Sequence, residues 1–310
     1  MINEYVYKLM ENLPENITNT EKPIKIDLIL GGGAFNGSYI LGALYFLKEM
    51  ERRNYIIIKR ISTCSISSIL ALLYLTDNLD KANEFYFDII QDFKNKGNLS
   101  KLFEMKKLFE KYITNDACKN INKKLYVCYN DVTTNKKRVV NKYKDIDALF
   151  DVITRSCFVP FIIDFHPCYK DKYIDGIIPY FFKSFKSNKN KNKNKNKNKR
   201  IYLDVYTLDK LAYAINIKNE QNNYHRLFEG MLDIHKFFIK ECNTTMCSDL
   251  DNWSIYNYTI YYIYVIVEKI TLFFIGFIYT MKSSLLKNKY NNIVPIIEKA
   301  IKTFLEYQCF

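Results

Sequence analysis

From residue 24 onward, short continuous apolar runs alternate with longer stretches in which apolar positions recur every three or four residues. IKIDLIL (24–30) reads as a strand, and it passes through GGGAFNG into the helix-periodic SYILGALYFLKEM. YIIIKRIST (55–63) predicts a second strand, followed by small residues and the helix-like SSILALLYL. Two successive strand–turn–helix units predict an α/β fold with a mainly parallel central sheet and helices on both faces. Further on, the charged periodic stretch 82–113 predicts helix. KKLYVCYNDV (123–132) predicts a strand ending at Asp131, with KRVVNKY as its partner across a TTNKK turn. DIDALFDVITRSC (145–157) predicts a helix that stops before Pro160, and KYIDGIIP (172–179) a short Asp-Gly segment. IYLDVYTL (201–208) predicts a strand returning to the same sheet, and HRLFEGMLDIHKFFIK (225–240) an amphipathic helix. Residues 1–23 predict a short helix and a polar connector.

Two stretches break this rhythm. The run SNKNKNKNKNKNKR cannot bury apolar surface, so a disordered or loosely solvated insert is expected there. Strand-like sequence resumes at once, so the insert is not a domain boundary. The stretch Tyr256 to Met281 is apolar and aromatic and long enough to span a bilayer, but Glu268 and Lys269 interrupt it. A buried or hairpinned helix pair is the first expectation, with interfacial membrane contact and a true span as alternatives.

Composition narrows the function classes. A hydrophobic fraction of 48 % over 310 residues supports a large packed core and excludes a disordered chain. The abundance of Tyr, Phe, Ile, Lys and Asn is the bias of an AT-rich coding sequence, background rather than function. The formal charge is +13, but nine of the 46 basic residues lie in 183–200, which holds no acid. The remainder is close to neutral, and the basic run is a simple Lys-Asn repeat without interleaved aromatics, so no specific nucleic-acid partner is expected. The eight cysteines form no CxxC pair and there are only three histidines, which removes a zinc-finger spacing. MINEYVYKLM lacks a basic segment followed by an apolar run, so a secretory signal is not expected. Free thiols in a reducing, cytoplasmic setting follow.

The glycines carry the first chemical hint. Gly31, Gly32 and Gly33 follow a strand, with Gly37 beyond them and Gly42 inside the helix. Successive N–H groups and a helix N-terminus there form a nest for an anion. A dinucleotide loop fits poorly, because Asn36 stands where the last glycine of GxGxxG belongs. A phosphate-binding loop fails because residues 37–39 read Gly-Ser-Tyr. The oxyanion of an acyl-transfer transition state remains, beside the plain alternative of a tight strand–helix turn. Ser65 stands at the next strand–helix junction in Thr63-Cys64-Ser65-Ile66-Ser67, as a nucleophile or as a helix N-cap. His166, His225 and His235 have no evident Asp partner, so a carboxylate acting directly is the alternative base. Asp175 in Tyr-Ile-Asp-Gly is the candidate, or the first residue of an ordinary Asp-Gly turn.

Taken in order, GGGAFNGSYILGAL (31–44), STCSISSILAL (62–72), NDVTT (130–134), SCFVPFI (156–162), YIDGIIP (173–179) and EGMLDIHKFF (229–238) resemble the patatin-like phospholipase family. The resemblance covers roughly 24–240. It implies a three-layer α/β/α domain over 24–240 carrying the insert at 183–200, after an N-terminal helix and connector (1–23) and before an apolar, aromatic helical extension (241–310). It also implies a serine hydrolase of phospholipid or related acyl lipid that works without metal or cofactor. Ser65 falls on the nucleophile and Asp175 on the catalytic Asp of a dyad, with Gly32, Gly33, Ala34 and Gly37 on the oxyanion loop. Departures are Ala34 for the third loop glycine, Asn36 for the usual Arg or Lys, Thr63 and Ser67 for both elbow glycines, and Ile177 after Asp-Gly. A β-branched Thr63 is expected to crowd the elbow. The alternative is therefore a catalytically inactive scaffold retained for lipid binding or protein interaction. The Lys-rich insert and the apolar extension lead to an expectation of peripheral contact with an anionic membrane.

Overall fold

The computed structural model describes residues 1–183, 198–207, 210, 213–214, 216–217, 220–285, 299–300 and 303. Most of the Lys-Asn insert therefore lies outside the described residues. The helices are α1 (Ile2–Glu11), α2 (Glu15–Thr18), α3 (Gly37–Arg52), α4 (Ile66–Leu75), α5 (Lys81–Lys96), α6 (Met105–Phe109), α7 (Asn115–Ile121), α8 (Ile146–Cys157), α9 (Tyr224–Lys240) and α10 (Ile255–Leu285). The strands are β1 (Ile24–Leu30), β2 (Ile56–Cys64), β3 (Leu125–Asp131), β4 (Lys136–Val140), β5 (Tyr173–Asp175), β6 (Lys199–Leu203) and β7 (Cys247–Asp249).

The architecture is mixed α/β, a central sheet with flanking helices. The strand order is β4-β3-β2-β1-β6-β7, with β5 also paired to β3. The inner strands β3, β2, β1 and β6 run parallel, whereas β4, β5 and β7 are antiparallel to their partners. The expected parallel character thus holds in the middle of the sheet. The short turn between β3 and β4 permits only a hairpin. In β1, positions 26–30 are buried without alternation, as a strand covered on both faces should be.

Two expected elements differ. The periodic stretch 82–113 is largely helical as expected, but divided: Gly97 adopts a left-handed φ of 67° and closes α5, and a 3-10 turn (Ser100–Glu104) and α6 follow. The strand expected at 201–208 begins earlier, at Lys199, and ends at Leu203.

One register detail positions everything that follows. The end of β2 pairs with the start of β3, up to Cys64 opposite Cys128. The next residue of β3, Tyr129, pairs with Asp175 of β5. β2 and β5 therefore share one edge of β3, and their ends meet there.

The stretch from 256 to 281 is neither buried nor a hairpinned pair. It belongs to a single helix, α10, of 31 residues. Its segment Ile255–Thr280 is long and apolar enough to cross a membrane, and only 17 % of its most apolar window is buried. The charges that interrupt the hydropathy run do not interrupt the backbone. Glu268 turns inward and meets Lys137 at 2.8 Å, while Lys269 points outward.

Helices α3 and α9 touch backbone to backbone. A Cβ on Gly42 would lie 1.9 Å from the Leu227 carbonyl oxygen, and one on Gly230 would lie 1.9 Å from that of Tyr39. Neither carbonyl can move without breaking its helix. Replacing Gly230 by Ala should push the helices apart and lower stability by about 3 kcal/mol, read as a lower urea midpoint.

Candidate active site

β2 ends at Cys64 and α4 starts at Ile66, so a single residue turns the chain between them. That residue, Ser65, has φ 58° and ψ −142°. For a side chain with a Cβ this conformation costs on the order of 1–3 kcal/mol and persists only where neighbours enforce it. The neighbours here are hydroxyl groups. The Ser65 N–H donates to Ser156 Oγ of α8 (3.0 Å), and Ser156 Oγ donates to the Cys128 carbonyl (2.6 Å). Ser68 Oγ lies 3.1 Å from Ser156 Oγ and donates to Thr63 Oγ1 (3.0 Å), which donates to the Tyr126 carbonyl (3.2 Å).

The crowding expected at Thr63 does not arise. Thr63 is the penultimate residue of β2, where β-branching is favoured, and its side chain is fully buried between strands. Ser67 Oγ lies 2.7 Å from the Cys64 carbonyl and accepts the Cys64 N–H at 3.2 Å. Both elbow positions that lack glycine are hydrogen-bonded into the turn.

Asp175 reaches Ser65 along β3. Its N–H donates to the Phe158 carbonyl (2.8 Å), just beyond α8. Gly176 follows, and a Cβ there would stand 2.7 Å from the Cys128 carbonyl oxygen, so only glycine lets the chain pass. Burial pushes the Asp175 carboxyl well above the usual carboxylate range. Hydrogen bonds from the Ser65 side chain and the Gly176 N–H pull the other way, and the charge of Glu268 adds to the rise. Asp175 Oδ1 is out of contact with solvent and has no hydrogen-bond partner among the described residues. The residue is only half-buried overall, so what remains accessible belongs to its other atoms.

The glycine loop lies against the serine. A Cβ on Gly32 would come 3.1 Å from Ser65 Cβ and 2.9 Å from Tyr206 Oη. The amides of Gly31, Phe35 and Asn36 are engaged by the carbonyls of Leu203, Ala214 and Gly33. Those of Gly32, Gly33 and Ala34 find no backbone partner of this kind among the described residues. Ala34 holds a left-handed φ of 48°. Gly37 differs from its loop neighbours. Its N–H is used by Ala34 and Phe35, and its missing side chain makes room for Ile66. An apolar pocket opens from Ser65 between α3, α4 and α5, lined by Leu41, Leu70, Phe85 and Ile89.

Sequence reasoning missed three residues. Asn36 accepts the Arg226 guanidinium at 2.8 Å, so the cation lacking at position 36 arrives from α9. Tyr206 closes the site opposite Gly32, and burial holds its phenol well above its usual pKa. Glu268 comes from α10. None of these belongs to a local motif; each is brought in by the tertiary fold. The histidines lie elsewhere: His166 is exposed beside Asp164, and His235 packs edge-on against Phe46.

No curated protein matches the chain. Residues 28–180 match the family model described as Patatin-like phospholipase, a span that holds the glycine loop, Ser65 and Asp175. The chain carries a patatin-like phospholipase domain over residues 28–180.

Proposed function

We propose that the chain is a serine hydrolase of acyl esters in phospholipid or a related lipid, built on a three-layer α/β/α patatin-like domain. Family membership supports lipid hydrolysis in general. The observation that carries the finer reading is the Ser65 hydroxyl set against the Asp175 carboxyl where the ends of β2 and β5 meet on β3. In this reading ionised Asp175 accepts the proton of Ser65 Oγ as that oxygen attacks the ester carbonyl. The amides of Gly32, Gly33 and Ala34 hold the oxyanion. The tetrahedral adduct collapses, the alkoxide leaves with the proton from Asp175, and an acyl-enzyme remains on Ser65. Water, deprotonated by Asp175, then releases the fatty acid. The apolar pocket beside Ser65 takes the acyl chain. Elevated proton affinity suits Asp175 to the role, since a stronger base accepts the serine proton more readily.

The inactive-scaffold alternative loses its main motive, because Thr63 and Ser67 are accommodated in the turn rather than crowding it. Replacing Ser65 by Ala or Asp175 by Asn should cut hydrolysis by roughly 1,000-fold or more while the far-ultraviolet circular dichroism stays unchanged. Full activity in both variants would reject the assignment. Activity requires ionised Asp175, so it is present above the raised pKa and lost as pH falls through it. A plot of kcat/KM against pH should therefore show an acid limb centred well above the ordinary carboxylate value of 3.8.

The same reading includes a lipid surface as the partner of α10. Residues such as Tyr262, Ile266, Phe273 and Phe277 are exposed along its outward side, with Lys269 the one charge there among the residues whose side chains are described. Tyr256, Tyr258, Tyr261, Tyr262 and Tyr264 cluster in its N-terminal third, just after Trp253, with Phe273, Phe274 and Phe277 beyond them, the polarity gradient of a helix entering a headgroup region. The cations of the Lys-rich insert that precede β6 complement anionic headgroups. Changing Phe273, Phe274 and Phe277 together to Ser should weaken cosedimentation with anionic vesicles at least about tenfold and leave hydrolysis of a soluble short-chain ester intact. Unchanged vesicle binding would reject the lipid partner. A change from dimer to monomer instead would assign the face to a second copy.

A further inference from the structure

We propose that Glu268 is a positioning residue for Asp175, through which α10 holds the Asp175 segment in reach of Ser65. The inference rests on the hydrolase reading above. Glu268 is a carboxylate only 7 % exposed, on a helix whose neighbouring Lys269 and most of whose described apolar side chains face outward. A buried charge is tolerated where it is paired and hydrogen-bonded, and every contact of this one leads toward Asp175. Its Oε2 lies 2.8 Å from Lys137 Nζ of β4. Its Oε1 accepts Asn130 Nδ2 (3.2 Å) and the Ile178 N–H (3.4 Å). Lys137 Nζ also donates to the Ile178 carbonyl (2.9 Å), so the ion pair grips both backbone groups of one residue. Asn130 Nδ2 in turn donates to the carbonyl of Asp175 itself (3.0 Å).

The grip is needed because β5 is short. Three residues pair with β3, and no strand follows immediately in the chain. Without Glu268 the segment after Asp175 keeps the turn at Gly176 but loses the acceptor of the Ile178 N–H and the anion that holds Lys137 over the Ile178 carbonyl. A shift of an ångström at the base is enough to cost about 100-fold in rate. Glu268 lies outside residues 28–180, so the helix it belongs to adds a support to the family domain rather than repeating one of its motifs.

Several groups are near enough to interact electrostatically with the Asp175 carboxyl. They are the Ser65 hydroxyl and the Cys64 thiol from the elbow, the Gly176 N–H, the Cys157 thiol of α8, the Tyr206 phenol and the Glu268 charge. Burial raises the proton affinity of both thiols and the phenol, so they stay neutral and Glu268 is the charge among them. Removing that negative charge makes ionisation of Asp175 easier.

The test uses the full chain, a soluble monomeric ester and a fluorophosphonate that labels an activated serine. Glu268→Gln should lower kcat by about tenfold to 100-fold with KM within about twofold, and should move the acid limb of the pH profile to lower pH. The paired variant Glu268→Gln with Lys137→Gln removes the stranded cation. It should restore the urea midpoint without restoring kcat. Wild-type kcat and an unmoved acid limb in both variants, with only the single variant less stable, would make the pair merely structural and overturn the proposal. A wild-type chain that the fluorophosphonate does not label at Ser65 would instead overturn the hydrolase reading, and this inference with it.

Discussion

The backbone of Ser65 is the constraint on which the rest of the site depends. A residue with a Cβ holds φ 58° and ψ −142° between a parallel strand and a buried helix, a conformation it would not keep in isolation. Relieving it would let α4 continue into β2 as an ordinary turn and would withdraw the hydroxyl from Asp175. What prevents this is a chain of small hydroxyl side chains from β2, α4 and α8, each satisfied by another or by a backbone carbonyl. Buried polar networks of this kind are costly when incomplete, so strain in the turn and order in the network maintain each other.

Much of this was legible in the chain. The strand–glycine–helix and strand–serine–helix units announced themselves through a switch from continuous to 3.6-residue apolar periodicity, and those units place the loop and Ser65 correctly. The strand ending at Asp131 and the helix ending at Cys157 were equally plain. The bearing of Thr63 was not. A β-branched residue beside an elbow reads as a clash because sequence cannot tell whether it lies inside the strand or in the turn, and one residue of register separates the two. Asn36 looked like a lost cation for a similar reason: the guanidinium that meets it is 190 residues away, on α9. For α10, the Glu268-Lys269 pair lowers the hydropathy of the run, yet consecutive residues on a helix point about 100° apart, so one charge goes in while the other stays out.

The site draws on both sides of the boundary at residue 180. The glycine loop, Ser65 and Asp175 lie inside the family domain, whereas Tyr206, Arg226 and Glu268 arrive from beyond it. These later elements do different physical work. Arg226 is buried and closes off the entry to α3 through Asn36 and Glu220. Tyr206 limits the space over Gly32, and α10 buttresses the sheet while leaving an apolar side uncovered.

The meeting of β2 and β5 on one edge of β3 has a consequence for how this chain can vary. The distance from Ser65 to Asp175 is measured along β3 in steps of one residue pair, by hydrogen bonds rather than by the length of the connecting polypeptide. More than a third of the chain lies between the two residues, looping through five helices and a hairpin, yet of all this only β3 serves as the ruler. Segments there can lengthen, shorten or drift in composition without altering the spacing, provided Leu125 to Asp131 keeps its register. A one-residue slip in β3 would be far more damaging, because it would carry Asp175 to the opposite face of the sheet.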